Sequence, residues 1–238
     1  MRKIGVIGAG QMGAGIAQVS AQAGMDVLLR DIDLARAEKR KAGVEKRLVR
    51  AVENGKLEQA DAQAALARIT PVVELDGFAQ CDLVIEAATE REEIKRAIFD
   101  DVGKLLGPDA ILATNTSSIP ITRLAQAAPD PARFIGVHFF NPVPVMALVE
   151  VIRGLATSPE TVSAVEGYAQ ALGKEVVHAF DAPGFIVNRI LLPLLNEAIF
   201  ALGEGVASVK DIDTAIKLGL NHPMGPLTLA DFVGLDTC

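Results

Sequence analysis

Within FIGVHFFNPVPVMALVEVI, residues 134–152, three polar groups interrupt an otherwise apolar run: His138, Asn141 and Glu150. Burying an imidazole, an amide and a carboxylate costs free energy unless they pair with one another or with a ligand. An imidazole exchanges protons near neutral pH, and a carboxylate beside it orients one ring nitrogen and stabilises the imidazolium. His138 closes a β-type run, and a turn through Pro142 and Pro144 would return Glu150 to its side. The pair reads as a general base with its orienting acid. Standing alone it would read as a buried pair joining two strands; its surroundings favour chemistry, because perturbed ionisable groups cluster at functional sites.

Those surroundings begin at the N-terminus. Gly8-Ala9-Gly10-Gln11-Met12-Gly13 fits G-x-G-x-x-G directly after the strand-like KIGVIG and at the opening of a helical pattern. That context turns a weak pattern into a dinucleotide site. Gly8 permits the tight turn, Gly10 lets a pyrophosphate approach the backbone at Gln11 and Met12, and Gly13 lets the helix pack close. The helix N-terminus then presents unpaired N–H groups to the phosphates. Asp31 ends the second strand-like run; a carboxylate there accepts adenosine ribose hydroxyls and repels a 2′-phosphate, which favours NAD over NADP, with Arg30 working against that preference.

The elements that position these residues alternate. Strand-like KIGVIG, DVLLRD, DLVIEA, AILATNT, FIGVHFF, ALVEVI and EVVHAF are separated by helical patterns. These include GQMGAGIAQVSAQAG, residues near 90–106, residues near 119–128, and Pro159 to Leu172. Such alternation predicts a doubly wound, mostly parallel α/β sheet of Rossmann-like type. Ligands in such sheets sit beyond the carboxyl ends of the strands. Glu90, the Asn115-Thr116-Ser117-Ser118 run and His138 all fall there, where a nicotinamide ring would meet them. After DAPG only helical periods remain, near 185–203, 208–218 and from 226. The reading is a dinucleotide-binding domain over 1–181, with a helical arm about 33–67, and an all-helical domain over 182–238. Asn188 lies at the margin of a helical stripe with Leu192, Leu195 and Ile199. It either caps that helix or reaches a cleft to hold a substrate oxygen.

Composition narrows the class. The 238 residues are 50% hydrophobic and 22% charged, as in a soluble globular protein, and the net charge of −7 argues against a general nucleic-acid binder. Two cysteines, Cys81 and Cys238, supply no disulfide framework, which fits a reducing cytoplasm. The longest apolar stretch, GFIVNRILLPLLNEAIFALG, is broken by Asn188, Arg189, Asn196 and Glu197, so it reads as a core helix rather than a membrane span. No metal site is expected.

Taken in order, GAGQMGAGIA, DLVIEA, NTSS, GVHFFNP, LVEVIRG, PGFIVNR and NHPMGP resemble the L-3-hydroxyacyl-CoA dehydrogenase family, most of all its short bacterial 3-hydroxybutyryl-CoA members. The resemblance spans the chain. It implies NAD-dependent interconversion of 3-hydroxyacyl-CoA and 3-ketoacyl-CoA, with His138 and Glu150 as the catalytic pair. It implies that Ser117 and Asn188 hold the substrate oxygen, that Asn141 helps organise the same site, and that Asp31, Glu90 and Lys95 stand at cofactor positions. It also implies a homodimer. The chain ends at FVGLDTC, before the further helices with which family members continue and which form much of their dimer contact, so the helical domain is expected to be incomplete.

Between Arg30 and Lys56 nine lysines and arginines face five acids, a basic arm in an acidic chain. A charge run is usually a solvated helix face. The resemblance implies instead that the arm contacts the CoA nucleotide, and Lys46 and Arg50 share a face at i, i+4. Two competing functions remain. A β-hydroxyacid dehydrogenase acting on a free acid would resemble its family in carrying a lysine base on the first interdomain helix, and Gly184 to Leu202 contains no lysine. A nucleotide-binding sensor descended from the enzyme should have lost the His–Glu pair, which is present.

Overall fold

In the first strand Ile4 and Val6 face one helical layer while Gly5 and Ile7 face the other, the two-residue alternation of a strand buried on both sides. The computed structural model describes every residue of the chain except residue 237, and the chain divides into two units, Met1–Phe185 and Ile186–Cys238.

The first unit carries an eight-stranded sheet. In chain order its elements are β1 (Lys3–Ile7), α1 (Gln11–Gln22), β2 (Asp26–Arg30), α2 (Leu34–Glu53), α3 (Gln59–Ala67), β3 (Ile69–Val72), β4 (Leu83–Glu86), α4 (Glu92–Gly103), β5 (Ile111–Thr114), α5 (Ile121–Leu124), β6 (Phe134–Phe139), β7 (Leu148–Arg153), α6 (Pro159–Ala171) and β8 (Glu175–Phe180). The spatial order is β3-β2-β1-β4-β5-β6-β7-β8. Every neighbouring pair is parallel except β6 and β7, which form an antiparallel hairpin. Strand order therefore reverses on either side of β1, the topology that opens a ligand crevice at the carboxyl ends of β1 and β4.

Two buried layers hold the sheet. Ile4, Val6, Ile16, Leu29, Ile85 and Val137 belong to one; Ile7, Phe78, Val84, Phe99, Phe134 and Ile152 belong to the other. Phe99 of α4 meets Phe134 of β6 edge-on, with centroids 5.1 Å apart. Burial of each such side chain is worth about 1.5–3 kcal/mol. Gly5 is required in β1 because a Cβ there would come within 2.5 Å of the Phe78 ring.

The basic arm is two helices, α2 and α3. Asp33 caps α2 by accepting the Ala35 N–H at 2.9 Å, and the chain reverses at Asn54-Gly55, where Gly55 adopts φ +65°. Helix α2 buries only Ala37, Val44 and Leu48, leaving its basic side to solvent.

Two elements depart from the expectations. Strand β3 was not anticipated: its sequence, ITPV, is four residues long and contains Pro71, and proline is tolerated in a sheet only at an edge, where β3 lies. The helix expected near 119–128 is a four-residue helix followed by a single 3₁₀ turn, Ala125–Ala127. Its start is capped by a distant residue, Asp181, whose carboxylate accepts the N–H groups of Ile121 and Thr122 at 2.7 and 2.8 Å.

The second unit contains α7 (Val187–Gly203), α8 (Val209–Gly219) and α9 (Pro226–Val233). Ser208 caps α8 by accepting the Asp211 N–H at 3.2 Å. Asp213 of α8 caps α9, accepting the N–H groups of Leu227 and Thr228 at 2.8 and 3.0 Å. Among the described residues no helix is long and apolar enough to cross a membrane, and no group of three or more His, Cys, Asp or Glu side chains could hold a metal ion.

Candidate active site

The hairpin register sets the centre of the site. His138 of β6 and Glu150 of β7 are directly opposed, so both side chains leave the sheet on the same face. His138 Nδ1 lies 2.6 Å from Glu150 Oε2, with the imidazole 4% and the carboxylate residue 0% exposed. With Nδ1–H donating to the carboxylate, Nε2 carries the lone pair, and the Ser117 hydroxyl donates to it across 3.1 Å. The result is a continuous line, Glu150–His138–Ser117. Phe140 and Phe185 enclose the imidazole, with ring centroids 4.7 and 5.6 Å away.

Ser117 stands on the loop that follows β5, and three side chains shape that loop. Glu90 accepts the Ser117 N–H at 2.6 Å and the Thr116 hydroxyl at 2.7 Å. Asn115 Oδ1 accepts the Phe139 N–H at 2.9 Å, tying the loop to the end of the histidine strand. Beneath them lies Glu86, the last residue of β4 and fully buried. It accepts the Ala88 N–H at 2.8 Å, the Thr114 hydroxyl at 2.8 Å and the Lys95 ammonium at 2.6 Å. Lys95 also stands 3.8 Å from Glu90 Oε2, so one buried cation bridges two carboxylates. Such a pair repays its desolvation only when further hydrogen bonds satisfy it, and these do. Lys95 and Glu90, expected at cofactor positions, also take part in the contacts that hold this loop.

The glycine turn has the shape that a dinucleotide requires. Gly8 adopts φ +101°, and a Cβ on it would strike the backbone of Ala88, so no other residue is tolerated there. A Cβ on Gly13 would collide with the Gly8 carbonyl. A Cβ on Gly10 would meet nothing within 4 Å: the space beside it is open, as a ligand's approach requires. Gly10 also caps α1 with no side chain, which leaves the first-turn N–H groups of Gln11, Met12 and Gly13 for an anion. Asp31 flanks this turn, accepting the Ala9 N–H at 3.1 Å and the Ile32 N–H at 2.9 Å. The residues present fit NAD.

Between α1 and α2 lies a groove of about 560 Å³ lined by Gln11, Arg36, Lys39, Arg40, Lys46 and Arg47 among others. Burial, and secondarily Arg40, lowers the pKa of Arg47, whose Nε donates to Gln18 Oε1 at 2.7 Å. Lys46 lines this groove; Arg50, one turn further along α2, does not.

Two further residues were expected at the site. Asn141 is exposed, at the start of the turn between β6 and β7. Asn188 is half-buried in the first turn of α7, in the second unit. Sequence reasoning missed Glu86, Thr114, Phe140 and Phe185. Glu86 offered a signal, a carboxylate inside the otherwise apolar DLVIEA, the same kind of interruption that singled out His138.

Comparison with known proteins agrees with this geometry. Residues 3–182 match the family described as 3-hydroxyacyl-CoA dehydrogenase, NAD binding domain, and residues 184–238 match its C-terminal domain. The chain is 54% identical, over its full length and 81% of the relative's, to the 3-hydroxybutyryl-CoA dehydrogenase of Bradyrhizobium diazoefficiens. It is 55% identical, over 99% of its length and 84% of the relative's, to a probable 3-hydroxybutyryl-CoA dehydrogenase of Deinococcus radiodurans. The crystal structure of (S)-3-hydroxybutyryl-CoA dehydrogenase from Ralstonia eutropha superposes with a TM-score of 0.97 at 51% identity, covering all of this chain and 84% of that one. With both of its domains matched in order, the chain belongs to the NAD-dependent 3-hydroxyacyl-CoA dehydrogenase family.

Proposed function

We propose that this chain interconverts (S)-3-hydroxybutyryl-CoA and acetoacetyl-CoA, with His138 as the proton-transfer group and Glu150 as its partner. The observation that carries the reading is the line Glu150–His138–Ser117, with its His–Glu pair buried, at the carboxyl ends of β5 and β6. NAD, when bound, supplies the acceptor for the hydrogen lost from C3. His138 Nε2 takes the C3 hydroxyl proton, while Nδ1–H stays on the carboxylate side. The new imidazolium is stabilised by Glu150 at 2.6 Å, in surroundings where charge-assisted hydrogen bonds are strong. Ser117, which hydrogen-bonds Nε2, is assigned to the same substrate oxygen, and Asn188 with it. Phe140 and Phe185 exclude water from the ring. In the reverse direction His138 returns the proton to the developing alkoxide.

The arm's groove, with its five cationic side chains, is assigned to the phosphates of the CoA nucleotide. Assembly as a homodimer belongs to the same reading and is checked by sedimentation. The deciding experiment is NADH consumption with acetoacetyl-CoA run beside free acetoacetate. Turnover of the thioester and none of the free acid is the expected result; preference for the free acid would move the chain to the β-hydroxyacid dehydrogenase reading.

A further inference from the structure

Lys174 is an oddity among the buried groups. It follows Gly173, which ends helix α6 in a left-handed conformation (φ +72°), and its residue surface is only 9% exposed. Its ammonium donates to two backbone carbonyls, Val143 O and Met146 O, each at 2.7 Å. Among the described residues no carboxylate forms an ion pair with it. An ammonium taken out of water without a counter-charge is unfavourable, and burial accordingly lowers its pKa. The fold retains a cation where a shorter apolar side chain would be easier to bury.

Those two carbonyls belong to the turn Pro142–Met146, which joins the strand of His138 to the strand of Glu150. The turn begins four residues after His138 and ends four before Glu150. It is wound tightly on itself, since the N–H groups of Val145 and Met146 both donate to Pro142 O. Its other side rests on the nucleotide helix. Val143 is 2% exposed, and a Cβ on Gly15 of α1 would come within 2.8 Å of the Val143 Cβ. The turn is thus held from two directions: pulled by Lys174 through its carbonyls and stopped by Gly15 of the helix whose N-terminus forms the cofactor turn.

From this we infer that Lys174 is a positioning residue, a clamp that seats the hairpin turn against α1 and so fixes the His138–Glu150 pair relative to the bound dinucleotide. The inference rests on the proposed role of His138. Two ammonium bonds to consecutive parts of one turn leave it little freedom to slide. Gly15 allows the closest approach of backbone to turn that α1 can offer. Proton transfer depends steeply on such placement, and a displacement of about 1 Å can cost on the order of 10²-fold in rate.

The test uses the full chain, with kcat measured by NADH consumption at saturating acetoacetyl-CoA, well below each variant's melting temperature. NADH affinity is measured separately by fluorescence. Lys174→Met removes the donors and keeps the apolar stem; it is expected to lower kcat by about 10- to 100-fold while NADH affinity is retained. Gly15→Ala pushes Val143 from the opposite side with Lys174 intact, and is expected to lower kcat in the same sense. A residue that only stabilised the fold would lower the melting temperature and leave kcat of the folded enzyme unchanged. Normal kcat in both variants overturns the clamp, and so does a parallel loss of kcat and NADH affinity. His138→Gln run alongside separates the two ideas: if it retains turnover, the proton-transfer assignment fails, whatever Lys174 does. If it loses turnover while Lys174→Met and Gly15→Ala keep theirs, the clamp alone fails.

Discussion

Asn115 Oδ1 accepts the Phe139 N–H at 2.9 Å, so the loop that carries Ser117 is fastened to the residue that follows His138. Two groups from different strand ends, 21 residues apart in sequence, therefore meet at a fixed separation. Asn115→Ala would leave the Phe139 N–H buried without its acceptor. Urea unfolding is expected to show a loss of about 1–3 kcal/mol, accompanied by a lower kcat as the Ser117–His138 contact loosens. Unchanged stability would mean that the N–H finds another acceptor.

His138→Gln should lower kcat by on the order of 10²–10⁴-fold, the range for loss of a general base, while NADH binding is preserved. Glu150→Gln keeps the shape and removes the charge, so kcat should fall there too as the imidazolium loses its counter-ion. Near-normal rates in both folded variants would make the pair structural.

Asp31 accepts the Ala9 N–H at the mouth of the glycine turn, and we assign its carboxylate to the adenosine ribose, where it would repel a 2′-phosphate. The unmodified chain is expected to prefer NADH over NADPH in kcat/KM. Asp31→Ala should shrink that preference and leave KM for acetoacetyl-CoA nearly unchanged. Equal kcat/KM for both cofactors in the unmodified chain would remove the argument.

On the arm, Lys46 lines the basic groove and Arg50 does not. Lys46→Glu should raise KM for acetoacetyl-CoA more than Arg50→Glu, and neither should affect a truncated pantetheine thioester that lacks the nucleotide phosphates. Equal shifts for both substrates would point to folding damage rather than lost phosphate contacts.

Asp213 provides a test in the helical unit. Its pKa is lowered: desolvation acts in the opposite sense, but the Thr228 hydroxyl and the N–H groups of Leu227 and Thr228 outweigh it. A carboxyl with a depressed folded pKa contributes stability above its unfolded pKa, about 4, and loses it as pH falls through the lower folded value. Denaturant unfolding of Asp213→Ala should therefore show a deficit against the unmodified chain at neutral pH that narrows below about pH 4. A deficit independent of pH would mean that Asp213 acts by packing alone.

Much of the architecture is local and was legible in the residues themselves. Strand alternation in KIGVIG and FIGVHFF, the glycines at 8, 10 and 13, and the switch to purely helical periods after DAPG all follow from backbone sterics and hydrophobic period, which act over a few residues. The same holds for His138 and Glu150 as polar interruptions of apolar strands, since their cost of burial is visible wherever they occur. Tertiary structure alone decided how far those residues reach. Strand β3 forms from a proline-containing tetrapeptide because β2 offers it an edge. Glu86, Lys95 and Thr114 become one buried cluster only when β4, α4 and β5 converge. Arg50 is left outside the groove by a turn of helix that no charge count can resolve, and Lys174 finds two carbonyls that lie 28 and 31 residues away. Each depends on contacts between segments distant in sequence, and a burial cost read from the chain tells that a partner must exist, not which residue it will be.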